Sequence, residues 1–91
     1  MLPVLWRNKA RQSLASINTY ITERNPEAAQ DIKNLIELSA SQLSEHPYLY
    51  RQGRSLGTRE LVVHPNYIVV YRVTVVAIEI VNILHSRQQY P

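Results

Sequence analysis

Apolar positions change their spacing twice along the chain. Pro3-Val4-Leu5-Trp6 is a short apolar run that reads as an edge strand, with Pro at its first residue where no ladder donor is needed. From Asn8 to about Arg24, the residues Ala10, Leu14, Ile17 and Ile21 recur at spacings of four, three and four, one face of a helix, and Asn8 suits its N-cap. The Arg24-Asn25-Pro26 step ends that helix: Asn suits a C-cap, and a residue before Pro is pushed out of the αR region. Pro26 then sits in the first turn of a second helix, with Glu27 and Asp31 near its positive end. Its apolar stripe is Ala28, Ile32, Leu35 or Ile36, Ser39 and Leu43, and Pro47 closes it. Two helices joined by so tight a break are expected to form an antiparallel hairpin.

Past Pro47 the period shortens. Leu61-Val62-Val63, then Tyr67 to Val73, then Ala77 to Leu84 are rich in β-branched and aromatic residues and read as strands. His64-Pro65-Asn66 supplies a turn between the first two, whereas Thr74-Val75-Val76 has no Gly, Asn or Asp to fix the second. The middle strand is apolar on both faces, as in a central strand covered on both sides. A further short strand is expected around Tyr48–Gln52. The pattern gives a single α+β domain spanning 1–91: an N-terminal strand, then a helical hairpin packed on one face of a small antiparallel sheet of three to four strands.

Composition narrows the class. A chain of 91 residues has a thin core, burying only about 60–65% of its unfolded surface. It has no Cys, which excludes a disulfide scaffold, thiolate metal sites and a cysteine nucleophile, and makes the cytoplasm the expected compartment. No apolar run approaches the ~20 residues of a membrane helix, and no signal-peptide core precedes the domain. The net charge of +3 is unevenly spread. Residues 1–22 carry Arg7, Lys9 and Arg11 and no acid, residues 23–46 are acidic, and residues 47–91 carry five Arg against Glu60 and Glu79. Arg is the side chain suited to forked contacts with phosphate or carboxylate, so the C-terminal half is where an anionic partner is expected. Ordinary solvated surface is the plainer reading for any one of these Arg.

Strong catalytic motifs are missing: there is no Gly-rich phosphate loop, no metal-ligand spacing and no nucleophile elbow, and no metal or cofactor is expected. His46, His64 and His85 are far apart and read as surface or structural residues, with His85, beside Ser86 and Arg87, the one placed to act as acid or base near neutral pH. Arg51, Arg54 and Arg59 surround Gly53 and Gly57. They form either a flexible basic loop for a phosphate backbone or acidic peptide, or a plain β-connection in which Arg59 pairs across strands with Glu79. Tyr71 and Arg72 alternate to opposite faces, one to the core and one outward. Tyr90 either stacks on a base or pins the tail.

The order and spacing of Gly57-Thr58-Arg59-Glu60-Leu61-Val62-Val63, Tyr67 to Val73, Ile78-Glu79-Ile80-Val81 and Leu84 to Pro91 resembles the RelE/ParE superfamily of bacterial toxins. The N-terminal part agrees through Trp6, Ala10, Leu14, Ile17, Tyr20-Ile21 and Asn25-Pro26-Glu27-Ala28-Ala29, so the resemblance covers essentially the whole chain. It implies the toxin of a type II toxin–antitoxin module, an agent of plasmid stabilisation or growth inhibition silenced by a cognate antitoxin, with operator DNA bound only through that antitoxin.

The resemblance also implies two branches. RelE-like members are ribosome-dependent mRNA endonucleases that arrest translation; ParE-like members poison DNA gyrase without catalysis of their own. In the nuclease branch an Arg usually follows the Tyr or His opening the penultimate strand, and here Ile68 follows Tyr67. An aliphatic side chain cannot stabilise developing phosphorane charge, so the ParE-like branch is favoured. If the chain is a nuclease instead, Arg59, Arg72, His85, Arg87 and Tyr90 are the catalytic candidates, expected near one end of the sheet. Arg51, Arg54, Arg59 and Arg87 are the candidates for gripping the target or the antitoxin. A third reading keeps the fold without the toxicity.

Overall fold

The computed structural model describes residues 1–87 and joins five strands in the order β1-β5-β4-β3-β2. These are β1 (Val4–Trp6), β2 (Arg51–Gln52), β3 (Arg59–His64), β4 (Tyr67–Val73) and β5 (Ile78–His85). Helices α1 (Asn8–Thr22) and α2 (Pro26–Ser41) lie between β1 and β2 in the chain, and a single 3-10 turn (Gln42–Ser44) follows α2. The four strands β2 to β5 form the expected antiparallel block. β1 adds a fifth strand and pairs with β5 in parallel, which makes the sheet mixed. The helical hairpin carries the chain from β1 across to the opposite edge, so β1 meets the last strand rather than the next one.

Both caps assigned from sequence need correction. Arg7 is the N-cap of α1, with extended backbone and no side-chain cap, and Asn8 is already helical. The Arg7 amide donates to Ile80 O at 3.0 Å, so the sheet holds residue 7 and helical geometry begins just after it. Asn25 is the N-cap of α2 rather than the C-cap of α1. Its Oδ1 accepts the Ala28 amide at 3.1 Å, and Pro26 follows as the first helical residue, where its missing donor costs nothing.

One core fills the space between the helices and the sheet: Ala10 and Leu14 from α1, Ile36 and Ala40 from α2, Leu43, and Leu61, Val69, Tyr71, Ile78, Ile80 and Ile83 from the strands. Burying an Ile or Leu fully contributes about 1.5–3 kcal/mol, so these few side chains carry most of the apolar drive to fold. The buried line of α2 runs through Ala29, Ile36 and Ala40, one step from the expected stripe; Ile32 is half-buried and Leu35 exposed. The opposite face of the sheet holds a second cluster of Ile68, Val70 and Leu84.

Two local devices set the register. Val70 pairs with Asn82 and Tyr71 with Ile80, so Val81 is an extra residue bulged out of β5. The bulge resets the alternation, letting Ile80 and Ile83, three apart, both face the helices. In the β4–β5 turn, Thr74 Oγ1 accepts the amides of Val76 (3.3 Å) and Ala77 (3.0 Å), doing what Gly or Asn does elsewhere.

Candidate functional site: a divided set of cations

Arg51 and Arg54 are tethered side chains. Glu60 is 4% exposed, and its Oε1 takes Arg51 Nε at 3.0 Å and Nη2 at 2.9 Å. Its Oε2 accepts the Arg54 amide at 3.4 Å, with Arg54 Nε at 4.0 Å. A carboxylate that far from water requires such partners. The hairpin around them is closed by Gly53 N–H to Thr58 O, and a Cβ on Gly53 would collide with the Thr58 hydroxyl. Of the two readings of this basic loop, the ordered β-connection is the one observed.

Arg59 also works on its own chain. Its Nη1 donates to Tyr50 O at 2.8 Å and Tyr48 O at 3.3 Å, with the guanidinium 5.1 Å from the Tyr48 ring centroid. The expected Arg59–Glu79 pair does not form, because β4 lies between their strands. Glu79 stands opposite Arg72 and pairs with Arg7 at 3.4 Å. Beside Arg59, the Tyr71 hydroxyl donates to Pro47 O at 2.7 Å. Burial pushes the Tyr71 phenol up to about 12, with the Arg59 charge opposing and Tyr50 adding to the rise, so it remains a neutral donor.

Arg72 projects from the opposite face, exposed, and makes no ion pair among the described residues. It borders a depression of about 320 Å³ with Arg7, Lys9, Glu79 and Val81. Tyr71 and Arg72 thus divide between core and surface as alternation expects.

The other end of the sheet carries the aromatic bases. The Tyr67 ring lies 5.8 Å from His64 and 5.6 Å, edge-on, from His85. Each imidazole Nδ1 accepts a nearby amide, His64 from Asn66 at 3.1 Å and His85 from Arg87 at 3.2 Å. Burial, reinforced by Tyr20, raises the Tyr67 phenol. A cleft of about 750 Å³ opens here between α1 and the sheet, bordered by Lys9, Ser16, Tyr20, Tyr67 and His85.

The register separates the nuclease candidates. Tyr67 pairs with His85 and Arg72 with Glu79, five residues apart on β4, or about 17 Å. Arg59 and Arg72 therefore occupy the far end from His85 and Arg87, and on opposite faces from each other. The expectation that these groups cluster near one end of the sheet is corrected; Tyr90 lies outside the described residues. Ile68 is 3% exposed, packed with Val70 and Leu84 on the face away from the helices. Among the described residues, no three His, Asp or Glu side chains are grouped to hold a metal ion, and no helix is long and apolar enough to cross a membrane. Sequence reasoning missed Glu60 as the organising acid, and also Asn82, whose Oδ1 accepts both Ser13 Oγ at 2.6 Å and the Ile83 amide at 2.9 Å. An acid flanked by three Arg was the available signal for Glu60; nothing in the sequence marked Asn82.

Comparison with known proteins agrees with this architecture. A toxin from Caulobacter vibrioides described as "Toxin RelE2" is 35% identical over 86 residues, covering 94% of this chain and 97% of the relative. A solved structure described as a chromosomal ParDE toxin–antitoxin system from P. aeruginosa superposes with a TM-score of 0.83 at 21% identity, covering 93% of this chain and 96% of the other, which shows a shared fold. The family model for the ParE toxin of the type II toxin–antitoxin system parDE matches residues 4–90. The chain therefore belongs to the ParE toxin family of type II toxin–antitoxin systems.

Proposed function

We propose that this toxin acts by binding DNA gyrase and has no nuclease activity of its own, and that a cognate antitoxin of ParD type holds it silent. The observation that carries the reading is Ile68. It stands where the nuclease branch is expected to place a phosphate-stabilising Arg, and it is buried in an aliphatic cluster that offers no charge. The dispersal of Arg59 and Arg72 away from His85 and Arg87 supports the same reading, since in-line cleavage needs its groups within one substrate-sized space. Operator DNA is then bound by the antitoxin, because α2 and its flanks form an acidic surface, and a gyrase target places the action in the cytoplasm.

The alternative, a ribosome-dependent mRNA endonuclease, draws support from the cleft that brings Lys9 and Tyr67 to His85, with Arg87 two residues on. Controlled expression without antitoxin separates the two. Gyrase poisoning gives double-strand breaks trapped on gyrase with an SOS response; the nuclease gives mRNA cut in the ribosomal A site with intact DNA.

A further inference from the structure

β5 runs from Ile78 to His85, yet β1 pairs with it only at Ile78, Glu79 and Ile80. The Arg7 amide bonded to Ile80 O ends that ladder, and the chain turns away into α1. Beyond Ile80, β4 flanks one side of β5, and no described strand flanks the other. The Ser86 amide reaches Asn66 O on the β4 side, so alternation turns the Leu84 amide toward β4 and the Ile83 amide toward the open side. There the Ile83 amide meets no strand, and its acceptor is the Oδ1 of the preceding residue, Asn82. Ser13 of α1 donates to the same oxygen and holds it in place. Asn82 is 9% exposed, so this cap fills a slot that a neighbouring strand would otherwise fill.

The slot opens on the cleft between α1 and the end of β5, which Lys9, Gln12, Ser13, Ser16 and Ile17 line from the helix side and no carboxylate enters. Arg7, Lys9 and Arg11 lie along the start of α1, and the one nearby acid, Glu79, is taken by Arg7. A second copy of this chain is a poor occupant. Both of its edge strands bring Arg, β1 through the adjoining Arg7 and β2 through Arg51, and like charges would meet.

We propose that the open side of β5 beyond Ile80 receives an extended, acidic segment of the antitoxin, which displaces the Asn82 side chain and accepts the Ile83 amide. The added strand continues the lane that β1 leaves at Trp6, its acidic side chains facing Lys9 and its apolar ones facing Ile17 and Ile83. Ser13 and Asn82 keep this edge closed until the partner arrives. The inference rests on the antitoxin reading above.

The test is amide exchange by NMR on labelled toxin, alone and in complex with its antitoxin. Complex formation should slow exchange at Ile83 by at least about tenfold and give interchain backbone NOEs to β5. In Asn82→Ala the free toxin should lose protection at Ile83 by about tenfold, and the complex should restore it to the wild-type bound level. A complex that forms while Ile83 exchanges as in the free toxin overturns the edge proposal and leaves the antitoxin reading intact. Failure of the two proteins to form a complex overturns both.

Discussion

Arg51 reaches the buried Glu60 carboxylate with both Nε and Nη2, across the register pair that joins β2 to β3. The pair fixes a two-residue strand that has little else to hold it. Arg51 itself is 58% exposed, which screens its share. Arg51→Ala should therefore cost about 1–2 kcal/mol, measured by urea unfolding, because it leaves Glu60 with poorer partners. Glu60→Gln should cost a similar amount, and the double variant should cost less than the sum of the two.

Tyr71 makes stability depend on alkaline pH. Its folded pKa, near 12, lies above the unfolded value of 10, so its contribution is complete below pH 10 and is lost as pH rises through 12. A loss of about 2–3 kcal/mol over that window is expected from this group. Tyr71→Phe should remove that part of the slope and cost about 1 kcal/mol at neutral pH through the lost bond to Pro47 O.

The β4–β5 turn depends on one hydroxyl. Thr74→Val should cost about 1–2 kcal/mol by leaving the Val76 and Ala77 amides without their acceptor, whereas Thr74→Asn should be nearly neutral in thermal unfolding. The helix caps offer a matching contrast: Asn25→Ala should cost about 1 kcal/mol, and Asn8→Ala almost nothing.

These contrasts mark where the sequence was legible. The helices were visible because Ala10, Leu14, Ile17 and Ile21 keep a helical period, and the last three strands because β-branched runs alternate with turn residues. Asn25 was misassigned because Asn before Pro suits the end of one helix and the start of the next, and only tertiary placement decides. The buried line of α2 was displaced because Ala29 and Ala40, which allow close packing, carry little hydrophobic signal. At the site, the residue types were visible and their grouping was not. Arg59 and Arg72 lie 13 residues apart in the chain and His85 another 13 on, but only the register, with its bulge at Val81, places them at different ends and faces.

The separation of the cations bears on activity. If His85 and Arg87 are not a nuclease site, His85→Ala and Arg87→Ala should leave growth inhibition within about threefold of wild type in an induction assay, at equal protein levels. Loss of toxicity in both, with folding retained by circular dichroism, would favour the nuclease.

The most direct measurement scores DNA breaks trapped on gyrase and mRNA cut in the ribosomal A site in one culture expressing the toxin without its antitoxin. The account predicts gyrase-linked breaks with an SOS response and uncut message; cut message with intact chromosomes would contradict it.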